Sequence, residues 1–311
     1  MSVLNVFIAD DFDAGLLNGL QDAGINFTYK PESNKIDIIE ACKSCNVLVL
    51  RSKIFLTADT LKECTALKYI FRGGAGMDNI DTVAAENLDI QCFNAGEANS
   101  IAVAEHSLGV LLGLLRNIVK ADREVRNRIW LREENRGSEL ASHKIGIIGF
   151  GNTGAAFGNI LAALGCKVFA YDKYKTGFGT DKIQECSLEI LKNEVDVLSM
   201  HVPLTKETEK YIDSEFIMGM KKPFYLLNMS RGPVVCLNSV MDELDKCKII
   251  GFGADVLENE NLQTLTEKEE ATFESAINQN RMIFTPHIAG WTNESYLKIG
   301  QVLLEKIKKL V

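Results

Sequence analysis

Residues 144–172 read KIGIIGFGNTGAAFGNILAALGCKVFAYD, and the order of parts in that stretch sets the fold class. Lys144–Gly149 is a short apolar run with the character of a buried parallel strand. Gly149, Gly151 and Gly154 follow as G-x-G-x-x-G at the turn into a helical segment, and a second apolar run ends on Asp172. Each part has a physical task. Gly149 permits the tight turn, Gly151 lets the backbone approach a pyrophosphate, and Gly154 lets the helix pack on the strand. The helix start, through Asn152 and Thr153, offers free N–H groups and a partial positive charge to phosphates. The Asp172 carboxylate is placed to accept from the hydroxyls of an adenine ribose and to repel a 2′-phosphate. The expected cofactor is therefore NAD rather than NADP.

The unit begins in mid-chain. Residues 1–143 precede it, enough for another domain in a chain of 311 residues with 46% hydrophobic content. In residues 1–94 strands are expected at Val3–Ala9, Val47–Leu50, Tyr69–Phe71 and Ile90–Phe93. Helices are expected at Phe12–Ala23, Lys35–Cys42, Thr57–Glu63 and Thr82–Asn87. Such alternation gives a parallel, flavodoxin-like sheet. Asn99 fits the N-cap of a long helix running to about Asn117, read as the crossover into the second domain. From Lys144 the alternation resumes, with strands at Lys167–Tyr171, Val195–His201, Phe224–Asn228, Ile249–Ala254 and Met282–Thr285. The amphipathic stretch Asn293–Leu310 is read as a helix returning to the first domain, and the acidic stretch Glu258–Glu270 as a solvated loop. The expected architecture is two doubly wound parallel α/β domains, residues 1–97 with 289–311 and residues 98–288, with a cleft between them.

Composition narrows the function classes. A net charge of −8 with no long basic run argues against nucleic acid as the main partner. The start MSVLNVFIAD lacks a charged n-region and a small-residue cleavage site, and the most apolar run, Leu108–Leu115, is too short to span a bilayer. A cytoplasmic protein without a membrane partner is the expectation. Eight cysteines are scattered along the chain. Cys42-Lys-Ser-Cys45 is a C-x-x-C, but no second pair or nearby histidine completes a metal site, so it is read as reduced thiols near a helix end.

Three more segments each follow an expected strand: Asn228-Met-Ser-Arg231-Gly-Pro-Val-Val235, Gly253-Ala-Asp255-Val-Leu-Glu-Asn-Glu260 and Thr285-Pro-His287-Ile-Ala-Gly-Trp-Thr292. With GFGNTG and His201-Val-Pro-Leu-Thr205, in this order, the chain closely resembles the D-isomer-specific 2-hydroxyacid dehydrogenases over essentially its full length. Oxidising a 2-hydroxy acid needs a hydride acceptor, a base for the hydroxyl proton and an anchor for the carboxylate. Arg231 suits the anchor, since a guanidinium grips a carboxylate bidentately and keeps its charge. His287 suits the acid/base, and Glu260 suits the partner that orients it and stabilises the imidazolium. The resemblance further implies that Asp255 sits by the nicotinamide and that His201, Val202, Pro203, Thr208, Ser230 and Gly290 line the cofactor. One departure is Asn261, where the family usually has proline; it leaves the Glu260 loop freer, with Glu258 as a rival for the role.

Leu50-Arg51-Ser52-Lys53, Phe71-Arg72-Gly-Gly74-Ala75-Gly76-Met-Asp78 and Asn94-Ala-Gly-Glu-Ala-Asn99 resemble the phosphoglycerate dehydrogenase branch. That resemblance implies Arg51 and Arg72 at the substrate phosphate, the Gly74–Gly76 loop at the carboxylate, and Ser52 and Asn99 among the other substrate-binding residues. It is physically sensible, because 3-phosphoglycerate carries roughly three negative charges at neutral pH. The bland alternative is a surface Arg51 and an Arg72 saturated by an acid such as Asp78. The regulatory extension of longer phosphoglycerate dehydrogenases has no counterpart, so serine feedback through such a domain is not expected. Hydroxypyruvate or glyoxylate reduction stays open within the class, and an NAD-sensing, co-repressor-like binding module outside it. The resemblance also suggests a homodimer through the cofactor domain.

Overall fold

The computed structural model describes residues 4–311, so Val3, expected to open the first strand, lies outside the described residues. The chain divides into two compact units, Met1–Asn99 with Trp291–Val311, and Ser100–Gly290.

In unit one, strands β1 (Asn5–Ile8), β2 (Asn26–Tyr29), β3 (Val47–Leu50), β4 (Tyr69–Arg72) and β5 (Gln91–Asn94) alternate with helices α1 (Ala14–Asp22), α2 (Lys35–Ala41), α3 (Ala58–Glu63) and α4 (Thr82–Asn87). All pairings are parallel, in the order β2-β1-β3-β4-β5. The order reverses between β1 and β3, the place where open α/β sheets bind ligands at the strands' carboxyl ends. β3 is buried at every position, as a central parallel strand must be.

In unit two, helices α5 (Ser100–Leu115) and α6 (Ile118–Arg126) precede β6 (Lys144–Ile148), α7 (Asn152–Ala163), β7 (Lys167–Tyr171), β8 (Ile183–Glu185), α8 (Leu188–Glu194) and β9 (Val197–Met200). Then come α9 (Ser214–Gly219), β10 (Phe224–Asn228), α10 (Leu237–Asp245), β11 (Ile249–Ala254), α11 (Glu267–Ile277) and β12 (Met282–Phe284). The sheet runs β12-β11-β10-β9-β6-β7-β8, all parallel, and reverses between β6 and β9. Helix α12 (Asn293–Lys308) belongs to unit one, where Leu303 and Ile307 share a core with Leu16 and Leu20 of α1.

Both sheets are the parallel, doubly wound kind that the alternation foretold. Four local features differ from expectation. Strands β2 and β8 were not anticipated; both are edge strands, and β2 alternates exposed with half-buried residues, so neither shows an apolar run. The long helix stops at Leu115, and α6 restarts after Asn117, held in the left-handed region at φ 52°. The acidic stretch is not all loop, because Thr266 and Glu269 form a capping box that starts α11. Asn99 directly precedes α5 but does not cap it through its side chain: its buried Oδ1 accepts no hydrogen bond. Among the described residues no single helix is long and apolar enough to cross a membrane.

Candidate active site

The glycine turn of unit two is closely packed at two of its glycines and open at the third. Gly149 holds φ +90°, and a Cβ there would run into the carbonyl of His201. A Cβ on Gly154 would strike the Gly149 carbonyl, whereas one on Gly151 would meet no protein atom within 4 Å. Gly151 is the N-cap of α7 and supplies no side-chain cap, so the first N–H groups of the helix point at that space. This cradle fits a dinucleotide pyrophosphate, with Asn152 and Thr153 in the first helical turn.

Asp172 serves the turn before it serves any ligand. One carboxylate oxygen accepts from Phe150 N at 2.8 Å, and the other from Tyr174 N at 2.9 Å and Lys175 N at 3.0 Å. Of about four lone-pair sites on a carboxylate, roughly one is left for a ribose hydroxyl. His201 is buried, its ring set between Ser199 Oγ (2.9 Å) and Thr153 Oγ1 (3.3 Å), and burial pushes its pKa down to about 4. Its imidazole is a neutral core group, so only its backbone is left to face a cofactor. Thr208 closes the turn after Val202 and Pro203, donating to the Pro203 carbonyl at 2.6 Å and accepting from Thr205 N at 2.8 Å.

The Arg231 turn is built by a residue to which the sequence reading gave no role. Asn228, at the end of β10, accepts at Oδ1 from Ser230 N and Ser230 Oγ, and its Nδ2 donates to the Arg231 carbonyl at 2.9 Å. Arg231 donates through Nη1 to the Ser230 carbonyl at 2.6 Å. A Cβ on Gly232 would collide with the Leu257 carbonyl, so glycine lets this turn nest against the loop that carries Glu260.

His287 lies at the end of β12's loop with φ +56°, a conformation few non-glycine residues adopt. Its N–H donates to the Asp255 carbonyl at 2.8 Å. The Asp255 carboxylate, 2% exposed, accepts from Thr285 Oγ1 (2.5 Å), Ile288 N (2.9 Å) and Ala289 N (2.7 Å). Asp255 thus fixes the loop on both sides of the histidine and leads into Gly290. Thr285 Oγ1 also contacts His106 Nε2 at 2.9 Å, which ties α5 to the same loop. His287 Nδ1 faces Glu260 Oε2 at 2.9 Å, leaving Nε2 outward. That hydrogen bond raises the His287 pKa, against burial and the nearby charge of Arg231, which lower it. Glu258 is engaged elsewhere, accepting from Leu237 N at the start of α10. Asn261 ties down the loop: its N–H donates to Asn259 Oδ1 and its carbonyl accepts from Thr264 N.

The fourth histidine, His143, sits between Ser138 Oγ (2.8 Å) and Asp196 Oδ1 (3.2 Å). The Ser138 N–H is spent on the Leu115 carbonyl, and the trio closes the segment entering β6.

In unit one the expected substrate residues gather at the carboxyl ends of β3, β4 and β5. Asn79 Nδ2 donates to the Arg51 and Ile54 carbonyls, Gly73 N to the Leu50 carbonyl, and Asn94 Nδ2 to the Ala75 carbonyl. Ser52 is exposed in the turn after Arg51. Gly74, at φ +150°, leaves room for the Arg72 guanidinium to fold over it. The Gly74 N–H is used by the Arg72 carbonyl, so the free amides of that loop are those of Ala75 and Gly76 among the described residues. Arg51 is half-buried: its guanidinium lies over the rings of Trp291 (4.6 Å), Tyr296 (5.2 Å) and Phe12 (6.0 Å), and burial lowers its pKa. Cys42 and Cys45, also in this unit, are buried with their sulfurs 3.7 Å apart.

Comparison with known proteins agrees with the two-sheet α/β fold. Residues 108–289 match the profile described as D-isomer specific 2-hydroxyacid dehydrogenase, NAD binding domain. The hydroxypyruvate reductase of Thermotoga maritima is 32% identical over 276 residues, 88% of each chain. The D-3-phosphoglycerate dehydrogenase of Methanocaldococcus jannaschii is 32% identical over 314 residues, 99% of this chain and 58% of that one. The chain spans little more than half the length of the phosphoglycerate dehydrogenases it matches. A D-lactate dehydrogenase from Aquifex aeolicus, solved with NAD and lactic acid, superposes with a TM-score of 0.82 at 25% identity, covering 98% of this chain and 95% of that one. The chain therefore carries an NAD-binding domain and belongs to the D-isomer specific 2-hydroxyacid dehydrogenases.

Proposed function

We propose that the protein oxidises D-3-phosphoglycerate to 3-phosphooxypyruvate with NAD, the entry step of L-serine biosynthesis. The observation that carries an enzymatic reading is the His287–Glu260 pair, held in a strained loop within reach of the Arg231 charge. Arg231 anchors the substrate carboxylate through its fork of N–H donors. In the oxidative direction neutral His287 takes the hydroxyl proton at Nε2, and the Glu260 carboxylate stabilises the imidazolium that forms. In the reductive direction the same proton is returned to the carbonyl oxygen, and a raised His287 pKa favours that step. NAD, when bound, supplies the hydride acceptor; Gly149, Gly151, Gly154 and Asp172 would hold it, with Asp255 and Gly290 on the nicotinamide side.

The phosphorylated substrate is supported by Arg51 and Arg72 at the ends of β3 and β4, two cations beyond the one a simple 2-hydroxy acid requires. A second reading, hydroxypyruvate or glyoxylate reduction, is favoured by the Thermotoga relative, 32% identical over 276 residues. We further propose a cytoplasmic homodimer. All eight cysteines are free thiols, as a reducing compartment allows. Ile118, Val119, Val125, Ile129, Trp130 and Leu131 form an exposed apolar run suited to a second copy.

The deciding experiment is NADH oxidation with 3-phosphooxypyruvate beside hydroxypyruvate, glyoxylate and pyruvate at matched concentration. A strong preference for the phosphorylated acid supports the proposal, and a preference for the others moves the assignment to the second reading. No turnover with any of them leaves an NAD-sensing binding module.

A further inference from the structure

Arg51 presents an electrostatic problem within its own unit. Arg51 is half-buried, and among the described residues its guanidinium donates to no protein acceptor and forms no ion pair. A cation partly shielded from water is steadied by such partners, and here protein supplies none to its N–H groups. The two nearest acids are turned to other tasks. Asp10 Oδ2 accepts from the backbone N–H of Arg51 at 2.6 Å, and Asp11 accepts from the hydroxyls of Tyr296 (2.6 Å) and Tyr29 (2.9 Å). Tyr296 therefore does two things: it lays its ring against Arg51 and draws off the carboxylate that would otherwise neutralise it. Trp291, in edge-to-face contact with Tyr296 at 6.0 Å, supplies the nearest π face to the guanidinium. Aromatic faces attract the charge without using its N–H donors. The assembly stands where the sheet order reverses between β1 and β3, since Asp10 and Asp11 follow β1 and Arg51 follows β3.

We propose that Trp291, Tyr296 and Asp11 are positioning residues that hold Arg51 ready for an external anionic group, and so set the preference for a phosphorylated 2-oxo acid over its unphosphorylated analogue. This rests on the reading of Arg51 as the partner of the substrate phosphate. Pinning the backbone through Asp10 and Asn79 and the side chain through three rings removes most of the freedom that an arginine otherwise loses on binding. The specificity is thus built into residues that need not touch the substrate.

The test is steady-state kinetics of Arg51→Ala, Trp291→Leu, Trp291→Phe, Tyr296→Phe and the Arg51→Ala/Trp291→Leu pair, with 3-phosphooxypyruvate and hydroxypyruvate, folding being checked by NADH titration. Trp291→Leu is expected to raise KM for the phosphorylated acid about 5–30-fold more than for hydroxypyruvate, with a smaller effect on kcat. Trp291→Phe should recover most of that loss, and Trp291→Leu should add nothing once Arg51 is gone. Tyr296→Phe, which keeps the ring and releases Asp11, should weaken the same substrate selectively, and it decides the matter if Trp291→Leu does not fold. If Arg51→Ala is selective but the aromatic variants affect both substrates alike, or add to Arg51→Ala, the positioning role is wrong and the Arg51 reading stands. If Arg51→Ala hurts both substrates equally, the phosphate reading fails and this proposal with it.

Discussion

Glu260 touches His287 through one 2.9 Å hydrogen bond, and that bond is the main reason the histidine keeps its proton to higher pH than an ordinary imidazole. Glu260→Gln should therefore move the alkaline limb of the reductive kcat/KM profile to lower pH. An unmoved limb would assign the titration to another group. The same raised pKa adds stability fully below the unfolded histidine value and loses it as pH rises through the folded one. Both side chains are about half exposed, so this share is small. His201 runs the other way. With its pKa near 4 against 6.5 for the free side chain, the unfolded chain takes up a proton that the native ring refuses. Stability should fall as pH drops from about 6.5 toward 4, and urea midpoints across that window should show a shallower slope in His201→Gln. Much at this scale was legible, because glycines in G-x-G-x-x-G and an arginine after a strand have few substitutes for their tasks. The Arg51 cage was not: Trp291 and Tyr296 are remote from Arg51 in sequence, and only folding makes them neighbours.

Elements decide how firmly those residues are held. The loop after β12 depends on Asp255, whose carboxylate receives a hydroxyl and two backbone N–H groups. Asp255→Ala would leave the two amides without an acceptor, and we expect a loss of about 2–4 kcal/mol in urea unfolding together with a large drop in turnover. A variant as stable as the parent would show that water or another group replaces the carboxylate. The central strand β3 could be read from the sequence because both faces are buried and its residues run apolar without a break. Edge strands β2 and β8 lack that signature, and α6 was hidden by the kink at Asn117. The start of α11 was written in plain form as Thr266-Glu-Lys-Glu269, but its acidic surroundings masked the capping box.

At the scale of the whole molecule, the apolar run around Trp130, 82% exposed, is the feature that water tolerates least. Trp130→Glu should convert a dimer into a monomer in sedimentation at micromolar concentration; a parent protein that sediments as a monomer would end the dimer proposal. The alternation of elements made two parallel sheets legible, but not which apolar side chains would stay outside. The placement of α12 carries a further consequence. Its core residues are shared with α1, so the first and last helices stabilise one unit and everything from Ser100 to Gly290 is an insertion between them. In polymer terms unit one is a closed host and unit two a guest entered and left by single strands of chain. A protease nick inside the guest would yield two fragments that stay joined through the host, so the cut would be visible only after denaturation.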